Sequence, residues 1–172
     1  MIRSGRFLIA LLVYLGVSCV DSTTLSVTCD GNPTQEYFNI GSKFYFVWHA
    51  RVTWMEAAHV CRRMGGDLVV FESASELHQV SRYLISQGYQ NAWLWTSGNA
   101  LSSDHFTSLT TGMRLPFTEW APGQPDNAGG NEKCVHLWVR NGSFKMNDWV
   151  CREKAKVLCQ NQNHTRCWEN DS

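Results

Sequence analysis

The cysteines constrain the fold of this 172-residue chain more than any other feature of its sequence. Seven are present, and the first, Cys19, follows an apolar N-terminal run. If that run is removed together with Cys19, an even number remains: Cys29, Cys61, Cys134, Cys151, Cys159 and Cys167. None of them forms a Cys-x-x-Cys pair, so three disulfides are favoured over a thiolate metal site. Six cysteines allow 15 pairings, and the cysteines alone leave the pairing open.

The N-terminus has the composition of a secretory signal peptide. Arg3 and Arg6 precede an apolar run at residues 7–17, which is too short to span a bilayer. Small and polar residues follow it, and we predict cleavage between Cys19 and Ser22 and a secreted, extracellular mature chain. The alternative is an uncleaved anchor. No second apolar stretch follows, which predicts a mature chain without a membrane span.

The predicted domain organisation has four parts: a signal peptide at residues 1–21, an N-terminal segment at 22–36, one domain at 37–160 and a polar tail at 161–172. About 150 residues suffice for a single domain with a real core. Three Asn-x-Ser/Thr sequons predict N-glycosylation of the secreted chain, at Asn141, Asn163 and Asn170.

The composition excludes some functions. Basic and acidic residues balance at 15 each, so neither nucleic acid nor an anionic membrane is an expected partner. The six histidines are scattered without a His-Glu-x-x-His pattern, which predicts surface or core positions rather than zinc ligands. Glu119 and Asp126 could be imagined as a glycosidase pair, but nothing indicates the required separation or a raised pKa. We therefore expect a binding protein and not an enzyme.

Strand and helix patterns alternate before a long loop. Capping boxes at Thr53 and Ser73 each open an amphipathic stretch that ends at glycine, which predicts two helices. The face predicted to be buried on the first helix comprises Trp54, Ala57, Ala58, Cys61 and Met64. Strands are predicted at 37–47 with a turn or bulge at Gly41, and at 67–71, 93–96, 134–139 and 156–159. Core positions are expected for Trp93, Trp95, Trp120 and Trp138. The order of elements predicts an α+β fold class.

Residues 97–130 form a long polar stretch punctuated by glycine and proline, and such loops are usually functional. Oxygen-bearing side chains gather near its end and again before Cys151: Gln124, Asp126, Glu132, Asn147 and Asp148. A bond between Cys134 and Cys151 would bring the two groups together, and the mixture of carboxylates and amides fits Ca²⁺ better than magnesium or zinc. A cis Gln124–Pro125 bond would turn its flanking side chains toward one ion. The alternative is a solvated turn.

The chain resembles C-type lectin-like domains over roughly residues 37–160. The matching residues are Cys61, Gln124-Pro125-Asp126, Glu132, Cys134, Asn147-Asp148, Cys151 and Cys159. The resemblance implies the disulfides Cys61–Cys159 and Cys134–Cys151, and a calcium site that also binds sugar at Gln124, Asp126, Glu132, Asn147 and Asp148. Small secreted lectins of insects are the most similar kind. For Cys29 and Cys167 two alternatives remain: they bond to each other, or one links to a second chain.

The resemblance also implies a mechanism and a sugar. Two neighbouring hydroxyls of a sugar coordinate the calcium ion, and the same side chains that hold the ion hydrogen-bond these hydroxyls. In this family Glu-Pro-Asn accompanies mannose-type sugars and Gln-Pro-Asp accompanies galactose-type sugars. Galactose or N-acetylgalactosamine on cell or microbial surfaces is therefore the implied partner, and innate immune recognition the implied process.

Three departures from the family pattern modify this expectation. Met146 replaces a packing Trp, and Asn127-Ala128 stands where strongly galactose-selective members carry an aromatic residue. Lys133 replaces the acid that a second calcium site needs, so we expect one calcium ion. The alternative function is a lectin-like protein-interaction module that binds no sugar, for example in a disulfide-linked homo- or hetero-oligomer.

Overall fold

The computed structural model describes residues 24–27, 35–102 and 104–161. The predicted signal peptide, Cys29, Cys167 and the sequons at Asn163 and Asn170 lie outside these ranges. Two helices and nine strands occur within them. The helices are α1 (Trp54–Arg63) and α2 (Ala74–Ser86). The strands are β1 (Thr24–Val27), β2 (Gln35–Ile40), β3 (Lys43–Val52), β4 (Asp67–Leu68), β5 (Leu94–Asn99), β6 (Thr107–Ser108), β7 (Glu132–Arg140), β8 (Ser143–Val150) and β9 (Ala155–Asn161).

The strands form one mixed sheet in the order β1-β2-β3-β9-β5-β7-β8, with β4 paired to β9 and β6 paired to β5. The β5–β9 pair is parallel, and the other pairs are antiparallel. Pairing of β3 with β9 brings the two ends of the described domain side by side. Together with the helices, this sheet confirms the predicted α+β class.

Helix α1 begins as the capping box predicts, because the backbone N–H of Thr53 donates to the Glu56 carboxylate at 2.8 Å. Its buried face comprises Trp54, Ala57, Val60 and Cys61. The predicted face was therefore partly wrong, because Val60 is buried while Ala58 and Met64 are only half-buried.

Helix α2 begins with only half of the predicted capping box. The Ser73 hydroxyl accepts the Glu76 N–H at 3.2 Å, but the Glu76 carboxylate does not return the bond to Ser73. That carboxylate instead accepts from the Tyr45 hydroxyl at 2.6 Å and from the Lys43 ammonium at 2.9 Å. Lys43 is only 7% exposed and needs a counter-charge, so Glu76 joins α2 to β3.

The disulfides join the sheet to its surroundings. Cys61–Cys159 connects α1 to β9, and Cys134–Cys151 connects β7 to the turn that follows β8. These are the two pairs that the resemblance implies. Apolar side chains fill two clusters, one of which surrounds Leu77 and Leu94 and the other Trp54 and Trp95.

The structure contains three strands that were not predicted, β1, β6 and β8, and one predicted strand is shorter than expected. Strand β8 was missed because Lys145 to Asp148 carry no strand propensity; pairing with β7 along its whole length makes this segment a strand. The Asn141-Gly142 turn between them, with φ of 52° and 75°, is a strong hairpin signal and could have revealed it. The predicted 67–71 strand shortens to β4, and β1 was not predicted.

The prediction that four tryptophans lie in the core holds fully only for Trp95, which is inaccessible to solvent. Trp120 and Trp138 are half-buried. Trp93 is 44% exposed, so its predicted core position was wrong. Trp93 lies immediately before β5, and its ring packs on the outer side of the His136 and Trp149 rings, so that one face remains open to solvent.

Candidate cation-binding site

The end of the long loop is held against the outer edge of β8. The Ala121 N–H donates to the Met146 carbonyl at 2.8 Å, and the Met146 N–H donates to the Glu119 carbonyl at 2.8 Å. A turn follows at Pro122–Gly123, in which Gly123 has φ of 85° and the Gln124 N–H donates to the Ala121 carbonyl at 2.9 Å. The loop therefore delivers Gln124 beside the C-terminal half of β8.

Asp148 on β8 anchors the next residues of the loop. Its two carboxylate oxygens accept the backbone N–H groups of Asp126 at 3.1 Å and Asn127 at 2.8 Å. The Gln124–Pro125 peptide bond, immediately before these anchored residues, is cis. Asp148 is only 1% exposed, so these charge-assisted bonds compensate part of its lost hydration.

The chain then reverses and enters β7. Asn127 adopts the left-handed conformation with φ of 47°, and its side-chain oxygen accepts the Glu132 N–H at 3.1 Å. The Ala128 N–H donates to the Glu132 carboxylate at 3.1 Å. As a result, carboxylate oxygens of Asp126, Glu132 and Asp148 all lie within 4.8 Å of one another.

Two amide oxygens next to these carboxylates have no partner. Gln124 Oε1 and Asn147 Oδ1 are buried and accept no hydrogen bond from any described residue. Leaving a buried acceptor unsatisfied costs roughly 1–3 kcal/mol, so such atoms are rare unless a ligand satisfies them. Three carboxylates and two orphaned amide oxygens fit a hard cation with oxygen ligands, and the residues present therefore suit calcium.

The orientation of the Asn147 amide follows from its neighbours. The group that lies 2.6 Å from the Asp148 carbonyl oxygen must be the NH₂, because a carbonyl only accepts. The same nitrogen lies 3.0 Å from His136 Nε2, which must then accept, while His136 Nδ1 donates to the Leu137 carbonyl at 3.2 Å. Neutral His136 in this tautomer therefore holds the amide through its NH₂ group and leaves Asn147 Oδ1 as the buried atom without a partner.

Crowding of like charges contributes to a raised pKa of the Glu132 carboxyl. Burial raises the pKa of this carboxyl above its ordinary value, and the nearby charges of Asp148 and Asp126 raise it further, against a lowering bond from the Ala128 N–H. A divalent cation would remove the repulsion among the three groups.

The structure brings all five predicted ligands into three adjoining segments; their role as ligands stays a prediction. In the described part of the chain, this is the one group of three or more acidic, histidine or cysteine side chains arranged to hold a metal ion. Sequence analysis missed the supporting roles of His136 and Asn127. His136 gives no signal in a strand pattern, whereas the Asn127-Ala-Gly-Gly run indicates a tight reversal.

The model of the Lectin C-type domain family matches residues 50–161, about two thirds of the chain. The chain belongs to the C-type lectin family. It is 37% identical to C-type lectin 37Db of Drosophila melanogaster over 76% of this chain and 87% of that protein. It is 28% identical to salivary C-type lectin 2 of Aedes albopictus over 63% of this chain and 76% of that protein.

Solved structures agree with this assignment. C-type lectin CEL-I from Cucumaria echinata superposes with a TM-score of 0.65 at 27% identity, covering 72% of this lectin and 93% of that chain. The C-type lectin domain of murine dendritic cell inhibitory receptor 2, solved in complex with N-glycan, shares the fold with a TM-score of 0.60 at 22% identity, covering 74% and 96% of the two chains. Like its family, this lectin is a carbohydrate-binding domain and not an enzyme.

The departures noted in the sequence have structural consequences. Met146 is 2% exposed and packs in the core, where Trp120 covers it, so the side chain fills the interior as the family's Trp is expected to. Lys133 lies in β7, where its carbonyl accepts the Ala100 N–H at 2.8 Å, and its effect on a second calcium site stays a prediction. No helix among the described residues is long and apolar enough to cross a membrane.

Proposed function

We propose that this lectin is a secreted protein that binds one calcium ion and, through it, galactose-type sugars. The observation that carries the proposal is the pair of buried, unpartnered amide oxygens of Gln124 and Asn147 beside three crowded carboxylates. Each feature costs free energy while no ligand is bound, and one cation with oxygen ligands would satisfy both.

We assign each residue to the ion or to the sugar according to which of its polar atoms have no hydrogen-bond partner within the protein. A bound calcium ion supplies open coordination positions for two neighbouring sugar hydroxyls. The exposed Asp126 carboxylate has acceptor capacity beyond its bond from the Ala128 N–H at 3.3 Å. The buried oxygen of Gln124 has no partner, and we assign it to the ion. Its NH₂ group has no partner among the described residues either, and we assign it the donation to a hydroxyl.

Asn147 has a narrower role than the sequence predicts. Both N–H bonds of its amide are committed, one to His136 and one to the Asp148 carbonyl. Only its oxygen remains without a partner and available to an ion. We therefore propose Asn147 as an ion ligand, and assign the sugar contacts to Gln124, Asp126 and the second carboxylate, Glu132.

The galactose preference rests on the order of amide and acid around Pro125. Gln124 precedes Pro125 and Asp126 follows it. Compared with the Glu-Pro-Asn arrangement, the donor and the acceptor therefore exchange places on the two sides of the bound hydroxyl pair. The residues after Asp126 are small and exposed and offer no ring to cover the apolar face of galactose. Discrimination between galactose and mannose should therefore be modest.

Secretion and the biological setting belong to the same proposal. The N-terminal sequence supports a signal peptide at residues 1–21 ahead of the domain, and one relative carries the name of a salivary lectin. Asn141, one of the predicted glycosylation sites, is exposed on the β7–β8 turn and accessible to a glycan. The similarity of this lectin to insect C-type lectins supports a place for the proposed sugar binding in recognition of cell or microbial surfaces.

The test is affinity chromatography on immobilised galactose with the full secreted chain. We expect retention in calcium, release by chelator and loss of retention in Asp126→Ala. Asp104→Ala, which removes an exposed carboxylate outside the cluster, is the matched control and should be retained. If the calcium-loaded protein binds no sugar on a broad glycan array, the proposal is wrong and the alternative of a protein-interaction module replaces it.

A further inference from the structure

A groove of about 380 Å³ lies outside the candidate cation site and shares no residue with it. Its walls come from the loop after α2, the irregular end of β3 and the start of β9. The side chains that the inference uses are Arg51, Tyr89, Asn91, Trp93, Lys154 and Lys156. They comprise three cations, two aromatic rings and one amide, and nothing proposed so far involves them.

The three cations are not engaged in ion pairs. Arg51, Lys154 and Lys156 form no ion pair with any carboxylate in the described residues. Two carboxylates act at longer range, Glu36 on Tyr89 and Glu56 on Lys154. Three cations against these two carboxylates leave the groove with a positive balance. A concave wall with one sign of charge attracts a ligand of the opposite sign.

Trp93 forms a fixed aromatic platform in this groove. Its ring packs edge-on against Trp149, with ring centroids 4.6 Å apart. It also packs at a tilt against His136, with ring centroids 5.5 Å apart. Despite these contacts the ring stays 44% exposed, and Trp93 is the most exposed aromatic among the large hydrophobic residues that the structure describes. A ring held from behind and open in front can stack on an apolar face of a ligand without losing side-chain entropy.

The cations are placed around this platform by backbone bonds. The Lys156 N–H donates to the Trp93 carbonyl at 3.1 Å, and Lys156 Nζ lies 5.2 Å from the centre of the Tyr89 ring. The Ala92 N–H donates to the Tyr89 carbonyl at 2.8 Å, which closes the loop between the two rings. Arg51 projects from a shift in the β3–β9 register between Trp48 and Val52, and such bulges commonly re-aim a side chain beside a binding site.

We propose that this groove binds an anionic saccharide, one that carries sulfate or carboxylate groups, independently of calcium. The cations suit the acidic groups, the Trp93 and Tyr89 rings suit the apolar C–H face of a sugar ring, and the Asn91 amide suits its hydroxyls. The Asp and Glu side chains of an acidic peptide would use the cations but carry no ring face to stack on Trp93. The combination therefore favours a saccharide over a peptide.

The test measures binding in excess chelator, which removes any contribution from the candidate cation site. The probes are a sulfated galacto-oligosaccharide, an oligogalacturonate, a neutral galacto-oligosaccharide and a poly-glutamate peptide. We expect one or both anionic saccharides to bind and the neutral one not to bind. Comparison of the two anionic probes shows whether the acidic group is sulfate or carboxylate.

Variants distinguish a built site from general charge attraction. The triple variant Arg51→Gln, Lys154→Gln and Lys156→Gln should weaken binding by at least about tenfold, since each removes a charge-assisted contact. The matched control changes three exposed arginines elsewhere, Arg63→Gln, Arg82→Gln and Arg114→Gln, and should bind as the parent does. Calcium-dependent retention on galactose should survive in both, so failure here and failure of the proposed function are separable.

Three results would overturn the inference. The first is no binding of either anionic saccharide in chelator. The second is an equal loss in the two triple variants, which would indicate net charge alone. The third is equal binding of poly-glutamate with the same sensitivity to the Arg51, Lys154 and Lys156 changes, because the groove would then be a site for acidic peptides. Replacement of Trp93 by Phe should keep most saccharide binding, and replacement by Ala should reduce it, with circular dichroism confirming the fold of both.

Discussion

His136 Nε2 accepts a hydrogen bond from Asn147 Nδ2 at 3.0 Å across the β7–β8 pair, directly beneath the candidate cation site. The bond requires neutral His136, since a protonated ring has two donors and no acceptor. Burial meets this requirement: the side chain is 1% exposed, and desolvation lowers the pKa of His136 to about 4 from an ordinary 6.5.

This lowered pKa makes the stability of the calcium-free protein depend on pH. Between pH 6.5 and about 4 the unfolded chain binds a proton at His136 and the folded chain does not. The free energy of unfolding should therefore be highest above pH 6.5 and fall as the pH drops, by about 3 kcal/mol over the whole window. Urea unfolding at several pH values in chelator measures the change.

Substitution isolates this contribution from that of other groups. His136→Gln removes the titration and should flatten the fall between pH 6.5 and 4, whatever it does to the stability at neutral pH. His59→Gln, on the exposed face of α1, is the control and should keep the fall. An unchanged pH dependence in His136→Gln would show that other groups cause the acid destabilisation.

Calcium should raise the melting temperature, because the five oxygens converge only in the folded state. A calcium concentration of 100 times the dissociation constant adds about 2.7 kcal/mol, or roughly 5–10 °C for a domain of this size. Titration calorimetry should fit one site, given Lys133 beside Glu132. Two tight sites would contradict the role assigned to Lys133.

Glu132→Gln is the sharper variant for this test. It keeps an oxygen that can accept the Ala128 N–H and removes one of three crowded charges, so the fold should survive while calcium affinity falls at least about tenfold. Asp148→Ala is less suitable, because it also removes the two backbone bonds that anchor the loop. Glu153→Gln, an exposed acid outside the cluster, should leave calcium binding unchanged.

The sequence predicts most of this fold because its strongest signals are local. The Thr53 capping box and the glycine that ends α2 determine their helix boundaries through contacts within a few residues. Strand β8 depends instead on eight residues pairing with β7, and polar residues such as Asn147 and Asp148 hide a strand that tertiary pairing imposes.

The candidate site divides in the same way. The five oxygen donors could be predicted from the sequence, because their side-chain chemistry and their spacing from Cys134 and Cys151 can be read from it directly. The tautomer of His136, the commitment of both Asn147 N–H groups and the exposure of Trp93 arise from contacts between elements distant in sequence. Periodicity cannot show which face of an aromatic ring remains open, so the groove at Trp93 could not be predicted.

The two disulfides should have separable effects. Cys61–Cys159 closes 98 residues and Cys134–Cys151 closes 17, so chain entropy gives the first about 4–5 kcal/mol of stability and the second about 3. Replacing Cys61 and Cys159 by Ala should therefore lower the urea midpoint more. Replacing Cys134 and Cys151 should reduce calcium affinity more, because this bridge lies two residues after Glu132 and three after Asp148. Equal losses of calcium affinity in both variants would contradict this division.

An exchange of acid and amide should change the preferred sugar without loss of the ion. The double variant Gln124→Glu and Asp126→Asn preserves the ligand oxygens and the total charge but reverses which side of Pro125 donates. Because Asp148 holds the Asp126 and Asn127 backbone rather than their side chains, the loop should keep its conformation. We expect the calcium affinity to stay within a fewfold of the parent, while the ratio of galactose to mannose affinity reverses.

Competition titrations with the two monosaccharides measure that ratio. Affinity for one sugar should be weak, on the order of 1 mM, since little surface is buried, and the change in preference should be modest because no ring follows Asp126. Gln87→Glu, on the exposed end of α2, is the matched control and should keep the parent preference. If the double variant binds calcium as tightly as the parent but keeps the parent's preference, donor and acceptor order does not determine the specificity, and the shape of the loop at Asn127 becomes the explanation to test.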